Sequence, residues 1–102
     1  MADASLSTHV LDTTTGRPAA GVTVVLERDG AAIARAVTDA DGRIRELGND
    51  LATGRYRLVF ETRTYSADAF FGRVALDIEL GTGHTHVPLL LSRFGVTSYR
   101  GS

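Results

Sequence analysis

Along much of the chain, apolar and polar positions alternate with a period of two, the mark of strands that turn one face to a core. Leu6, Thr8 and Val10 alternate with Ser7, His9 and Leu11. Tyr56, Leu58 and Phe60 share one face of Gly54 to Glu61, and Val74, Leu76, Ile78 and Leu80 alternate without a break. Val22 to Glu27 and Ala31 to Thr38 read as strands joined by Asp29-Gly30, a strong short-range hairpin signal. Asp12 to Pro18 and Asp39-Ala40-Asp41-Gly42 are dense in turn formers, and Gly81-Thr82-Gly83 forces a turn before a last pair of strands, His84 to Leu91 and Phe94 to Tyr99. Tyr65 to Phe71 has room for one short helical turn. The pattern predicts an all-β, two-sheet sandwich of seven or eight short strands, in a single domain over residues 1–102.

Composition narrows the functions. With 102 residues, 43% of them hydrophobic, the chain builds one core and has little stability to spare, so association with its own copies would help it. Eleven basic against twelve acidic residues provide no field for a phosphate backbone, and nucleic acid is not an expected partner. The longest apolar run, Val87 to Leu91, is far too short for a spanning helix, and Met1 to Leu6 lacks the charged and apolar regions of a secretory leader. A cytoplasmic protein without a membrane segment is expected. Zero cysteines rule out disulfides, thiolate metal sites and a cysteine nucleophile in this sequence, which leaves His, Ser, Arg, Tyr and carboxylates to carry any chemistry.

Only three histidines occur. On a strand His84 and His86 point from one face, with Cα atoms roughly 6.5 to 7 Å apart. That spacing suits two ligands of one ion, with His9 completing a three-nitrogen set, but no carboxylate or thiolate stands close in sequence. The favoured alternative makes His84 a solvent-exposed turn residue beside Gly83. His86, flanked by an apolar run, must find a partner or lose about 1 to 3 kcal/mol. Asp39-Ala40-Asp41-Gly42 resembles the start of a calcium loop but lacks the bidentate glutamate, since Glu46 is out of register. It reads as a turn whose aspartates cap backbone amides, and Arg43 beyond it as a solvated charge by default. Final residues usually fray, yet Tyr99-Arg100-Gly101-Ser102 carries a ring, a guanidinium and a hydroxyl suited to docking in a pocket. There is no Gly-x-Ser-x-Gly elbow, and Gly81-Thr82-Gly83 lacks the third glycine and the helix of a phosphate loop.

Taken together, Ser7-Thr8-His9-Val10-Leu11-Asp12, Thr38-Asp39-Ala40-Asp41-Gly42-Arg43, and His84-Thr85-His86-Val87-Pro88-Leu89-Leu90-Leu91-Ser92 with the closing Tyr99-Arg100-Gly101-Ser102 resemble the 5-hydroxyisourate hydrolases, the transthyretin-related enzymes of purine catabolism. The resemblance runs from His9 to Ser102. It implies a transthyretin-like sandwich, assembled as a homotetramer, a dimer of dimers with catalytic pockets in the channel between them. It implies hydrolysis of the C6–N1 amide bond of 5-hydroxyisourate, the product of urate oxidation, to 2-oxo-4-hydroxy-4-carboxy-5-ureidoimidazoline, without metal or organic cofactor. Carried over by motif, the catalytic set falls on His9, Arg43, His86 and Ser102, with Tyr99, Arg100 and Gly101 shaping the substrate pocket. On that reading His9 is the general base, and Arg43 stabilises the anionic substrate and the oxyanion. His86 orients the water or protonates the leaving nitrogen, and Ser102 holds the network. Thr85, Arg93, Gly72 and Val96-Thr97-Ser98 depart from the family's usual residues, and the stretch from Arg43 to Phe71 is short, changes that touch packing and loop shape ahead of chemistry.

Two other functions fit the same fold. A transthyretin-like carrier would line its channel with apolar and small residues, whereas His9, Arg43, His86 and the terminal tetrad supply acid, base and anion-binding groups. A structural module similar to the carboxypeptidase regulatory-like domains would account for Gly21-Val22-Thr23-Val24 and Gly54-Arg55-Tyr56-Arg57-Leu58, but it predicts neither His9 nor the tetrad.

Overall fold

β-branched and apolar residues at alternate positions build the strands, and the turns fall at glycine and aspartate. In the structure, a computed structural model that describes residues 2–101, ten strands form among the described residues. They are β1 (Ala2–Asp12), β2 (Arg17–Pro18), β3 (Thr23–Arg28), β4 (Ala31–Val37), β5 (Arg43–Ile44), β6 (Leu51–Ala52), β7 (Gly54–Glu61), β8 (Val74–Leu80), β9 (Gly83–Leu91) and β10 (Val96–Ser98). The seven longer strands match the alternating segments of the sequence. β2, β5 and β6 hold two residues each, too few for any period to show.

One sheet runs β10-β9-β1, with β2, β5 and β6 taking turns along the other edge of β1; the second runs β4-β3-β7-β8. The β3–β4 hairpin turns through Asp29 and Gly30, whose φ values of 52° and 81° are both left-handed, as a two-residue turn matched to strand twist requires. Between β1 and β9 the chain traverses the second sheet, so the two strands meet in parallel, Ala4 opposite Gly83 through Asp12 opposite Leu91. That register brings Ser5 beside His84 and Ser7 beside His86.

Leu6 and Val10 of β1, Val24 and Leu26 of β3, Leu58 and Phe60 of β7, and Val87 and Leu89 of β9 fill the space between the sheets. Each fully buried side chain of this kind contributes about 1.5 to 3 kcal/mol. Thr8 lies among them with its hydroxyl donating to the Val87 carbonyl at 2.6 Å, and among the described residues no buried side-chain polar atom lacks a partner. Leu76 and Ile78 are only half-buried, because β8 is an edge strand. The expected helical turn at Tyr65 to Phe71 is corrected: a single 3-10 turn forms just upstream, at Thr62–Thr64. Thr62 closes it by accepting from the Tyr65 and Ser66 amides at 3.0 Å, and its hydroxyl donates to the Phe71 carbonyl. The Tyr65 hydroxyl donates to Asp12 Oδ2 at 2.7 Å, so the loop is tied at both ends and has no run left for a helix. Among the described residues no helix is long and apolar enough to cross a membrane.

Candidate active site

Because the even positions of β1 face the core, Ser5, Ser7 and His9 look outward. Val87, Leu89 and Leu91 of β9 face inward and are buried, so His84 and His86 share that outward face. Arg43 in β5 is the direct cross-strand partner of His9, and directly opposed residues project from the same side of a sheet. Three strands from distant parts of the sequence thus gather His9, Arg43 and His86 onto one surface. The loop before Arg43 is fixed at both ends: Asp39 Oδ1 accepts the amides of Asp41 and Arg43, each at 2.9 Å, and the Asp39 amide donates to the Arg43 carbonyl at 3.0 Å. The Arg43 amide first, then that of Asp41, holds the Asp39 carboxyl below its usual pKa. Gly42 adopts φ 74°, and its carbonyl accepts from the Val10 amide at 2.8 Å. A Cβ there would strike the Val10 carbonyl oxygen, so only glycine lets this loop press onto β1 and bring Arg43 level with His9.

His84 is exposed, as the turn reading expected, but it stands inside the strand that the alternation predicted from that same residue. It lies in β9, one residue past the strand's start, and both ring nitrogens are engaged: Nδ1 is 2.7 Å from Ser5 Oγ and Nε2 is 2.8 Å from Ser7 Oγ. The same Ser7 Oγ lies 2.7 Å from His86 Nδ1, and among the described residues His86 Nε2 has no hydrogen-bond partner. Among the described residues no three His, Cys, Asp or Glu side chains are grouped to hold a metal ion.

Burial first, and then the charges of His9, Arg43 and His84, lower the pKa of His86 from its ordinary 6.5. The unfolded chain therefore takes up a proton at this residue before the folded chain does. By linkage, stability falls as the pH drops through about 6.5 and levels off below the folded-state pKa. Thermal melts at pH 7.5 and pH 5.5 check this: wild type is expected to lose more Tm across that interval than His86→Asn. An equal loss in both would mean that His86 is unperturbed.

The tail is divided between two places. Gly101 forms a bridge with His86, its amide donating to the His86 carbonyl at 2.7 Å. Tyr99 and Arg100 instead line a groove of about 320 Å³ with Leu76, Ile78, Thr85 and Val87, along the open edge between β8 and β9. Ser102 lies outside the described residues. A larger groove, about 550 Å³, lies on the second sheet between Glu27, Arg57 and Asp77, far from the histidines. Neither groove is lined by His9, Arg43 or His86. Sequence reasoning missed Ser5 and Ser7. The period of two had already placed both on the face of His9, but their pairing with His84 and His86 depends on a register across 79 residues of chain.

The HIUase/Transthyretin family model matches residues 6–101. The chain belongs to this family. Among its relatives, the 5-hydroxyisourate hydrolase of Caulobacter vibrioides is 44% identical over 112 residues, covering 95% of this chain and 97% of that protein. The one from Salmonella dublin is 41% identical over 109 residues, covering 95% and 80%. Both matched stretches are longer than this 102-residue chain, so these relatives carry residues that it lacks, in line with its short loops. A solved 5-hydroxyisourate hydrolase from Klebsiella pneumoniae superposes with a TM-score of 0.90 at 44% identity, over 96% of this chain and 99% of the other. Transthyretin from Sparus aurata superposes at 0.85 with 31% identity, over 94% and 95%. The backbone is thus common to hydrolase and transthyretin, and the side chains must separate them.

Proposed function

We infer that this protein is a 5-hydroxyisourate hydrolase of urate degradation. The observation that carries the reading is the convergence of two imidazoles and a guanidinium, His9, His86 and Arg43, on one outward sheet face. A carrier for apolar ligands has no use for that set. Identities of 41 to 44% to proteins named as this hydrolase, against 31% to transthyretin, point the same way.

We assign the roles from the chemistry. A water attacks C6 of the ring and loses its proton to His9 as general base. The oxyanion that forms at C6 faces the Arg43 guanidinium, whose charge is permanent and whose donors are forked. The C6–N1 bond then breaks and opens the ring, N1 takes a proton, and C6 stays in the product as its carboxylate. His86 stands beside this centre as the second imidazole, and Gly101 fixes its backbone. Gly101 and Ser102 border the pocket in this reading, while Tyr99 and Arg100 of the same chain line the separate groove along β8.

His9 and His86 are half-buried and Arg43 is exposed in the single chain, so a substrate held there is enclosed only when another surface covers it. We propose a homotetramer, a dimer of dimers, in which a second copy supplies that cover. Phe70, Phe71 and Phe94 support self-association: they form an edge-to-face cluster while 65%, 40% and 70% exposed, an apolar patch unusual for a lone small domain.

The test generates 5-hydroxyisourate in place with urate oxidase and follows its ultraviolet decay with and without the protein, in a chelator. A large, chelator-insensitive acceleration is expected. Decay at the spontaneous rate in the presence of folded protein would overturn the hydrolase reading.

A further inference from the structure

The described hydrogen bonds join four side chains into a line that begins at solvent and ends at the proposed reaction centre. Ser5 Oγ lies 2.7 Å from His84 Nδ1, His84 Nε2 lies 2.8 Å from Ser7 Oγ, and Ser7 Oγ lies 2.7 Å from His86 Nδ1. His84 is exposed, whereas Ser7 is only 8% exposed. Every junction is a contact between a hydroxyl and an imidazole nitrogen, the two groups that accept a proton on one side while releasing one on the other.

We propose that Ser7 and His84 form a proton relay that lets His86 protonate the leaving nitrogen as a neutral ring, refilled through Ser5 from solvent. This rests on the hydrolase reading above and adds two positioning residues to it.

Ser7 has one hydroxyl proton and two imidazole neighbours, so it donates to one and accepts from the other. When it donates to His86 Nδ1, His86 carries its proton on Nε2, aimed at the substrate. His84 Nε2–H then donates to Ser7, and the Ser5 hydroxyl donates to His84 Nδ1. As the C6–N1 bond breaks, N1 takes the proton of His86 Nε2. The Ser7 proton moves to His86 Nδ1, that of His84 Nε2 to Ser7, that of Ser5 to His84 Nδ1, and a solvent water resupplies Ser5. One proton has entered at Ser5 and one has left at N1, and neither His84 nor His86 becomes an imidazolium. After product leaves, water in the site returns a proton to His86 Nε2 and the line releases one at Ser5. The proton that His9 took from the attacking water and the proton of the new carboxyl group both go to solvent, so the cycle balances with one proton released overall.

The environment of His86 explains why such a line is useful. His9 from β1, Arg43 from β5 and His84 from its own strand face the ring, and together with burial they lower its pKa. An imidazolium at that position is disfavoured, so a general acid working by simple dissociation would be scarce at neutral pH. The relay supplies the proton without that charged state.

The test compares wild type with His84→Gln, His84→Ala and Ser7→Ala in the coupled ultraviolet assay, after melts establish that each folds. Glutamine at 84 keeps a donor and an acceptor for Ser7 but passes no proton, so it separates relay from scaffolding. His84→Gln is expected to lower kcat about tenfold or more, with KM within about twofold. Rates in mixtures of H2O and D2O should curve with deuterium fraction in wild type, where several protons move together, and become linear in His84→Gln. Added imidazole should restore turnover to His84→Ala, since that position is exposed. A wild-type kcat and wild-type curvature in His84→Gln would overturn the relay. A readout without turnover stands beside these: nitrogen NMR of the His86 ring should show a different tautomer ratio in Ser7→Ala, and an unchanged ratio would also overturn it. Failure of wild type itself to accelerate the decay would instead count against the hydrolase reading.

Discussion

His86→Asn is expected to fold and melt like wild type near pH 7.5 and to lose turnover by about two to four orders of magnitude, the contribution typical of a positioned acid or base. Asparagine occupies similar space and keeps a hydrogen-bonding group for Ser7, so the half-buried site is neither emptied nor stripped of polarity. The backbone of residue 86 is held independently of its side chain, by the parallel register with Ser7 and by the Gly101 amide on its carbonyl. Only the proton-transferring group disappears. Decay of enzymatically generated 5-hydroxyisourate measures the loss, and differential scanning gives the melt. If the variant turns over at the wild-type rate, His86 leaves the mechanism, and the relay through Ser7 goes with it.

The parts of this site that sequence alone makes legible are those fixed by a local period. Alternation in β1 placed His9 on the face opposite Leu6 and Val10, and alternation in β9 placed His86 opposite Val87 and Leu89, as the buried positions bear out. Asp29-Gly30 gave the β3–β4 hairpin because the turn needs two left-handed residues, a demand met within four residues of chain. Arg43 is a different case. β5 is two residues long and carries no period, so by composition Arg43 is one surface charge among eleven basic residues, and only a family resemblance singled it out. The structure supplies the physical reason for its position, which is long-range: Gly42 against the Val10 carbonyl, and His9 as its strand partner.

The two readings of His84, first residue of a strand and exposed turn residue, part at a boundary. Gly83 has a φ of 97°, which suits a turn, but the strand begins on that same glycine, and one residue later the chain is already paired with β1. The roles of Ser5 and Ser7 were hidden more deeply. A serine on a strand face is unremarkable until its neighbour is known, and the neighbour here is chosen by a parallel pairing of the first long strand with the ninth. The short loop between Thr62 and Phe71 shows the converse limit. Local propensity allowed a helical turn, and the Tyr65 bond to Asp12 together with the Thr62 bond to Phe71 overrode it.

Gly101→Val is expected to lower kcat/KM by about a hundredfold, the scale of loss that a misplacement on the order of 1 Å produces at a reacting group. A Cβ at this position would sit 3.0 Å from His86 Cδ2, 3.1 Å from its carbonyl oxygen and 3.5 Å from its Cβ. Valine adds two methyl groups beyond that point, so either the imidazole swings off its line with Ser7 or the tail lifts and its amide leaves the His86 carbonyl. Both outcomes move Nε2 of His86 relative to His9 and Arg43. Gly101 follows the last strand and is not a member of the buried hydrophobic cluster, so Tm should change by only a few degrees. Gly101→Ala, with one methyl in tight contact, should lie between wild type and valine in activity. The graded series is what separates steric control of the ring from a tail that merely tolerates change: full turnover in the valine variant would show that His86 keeps its position without the tail.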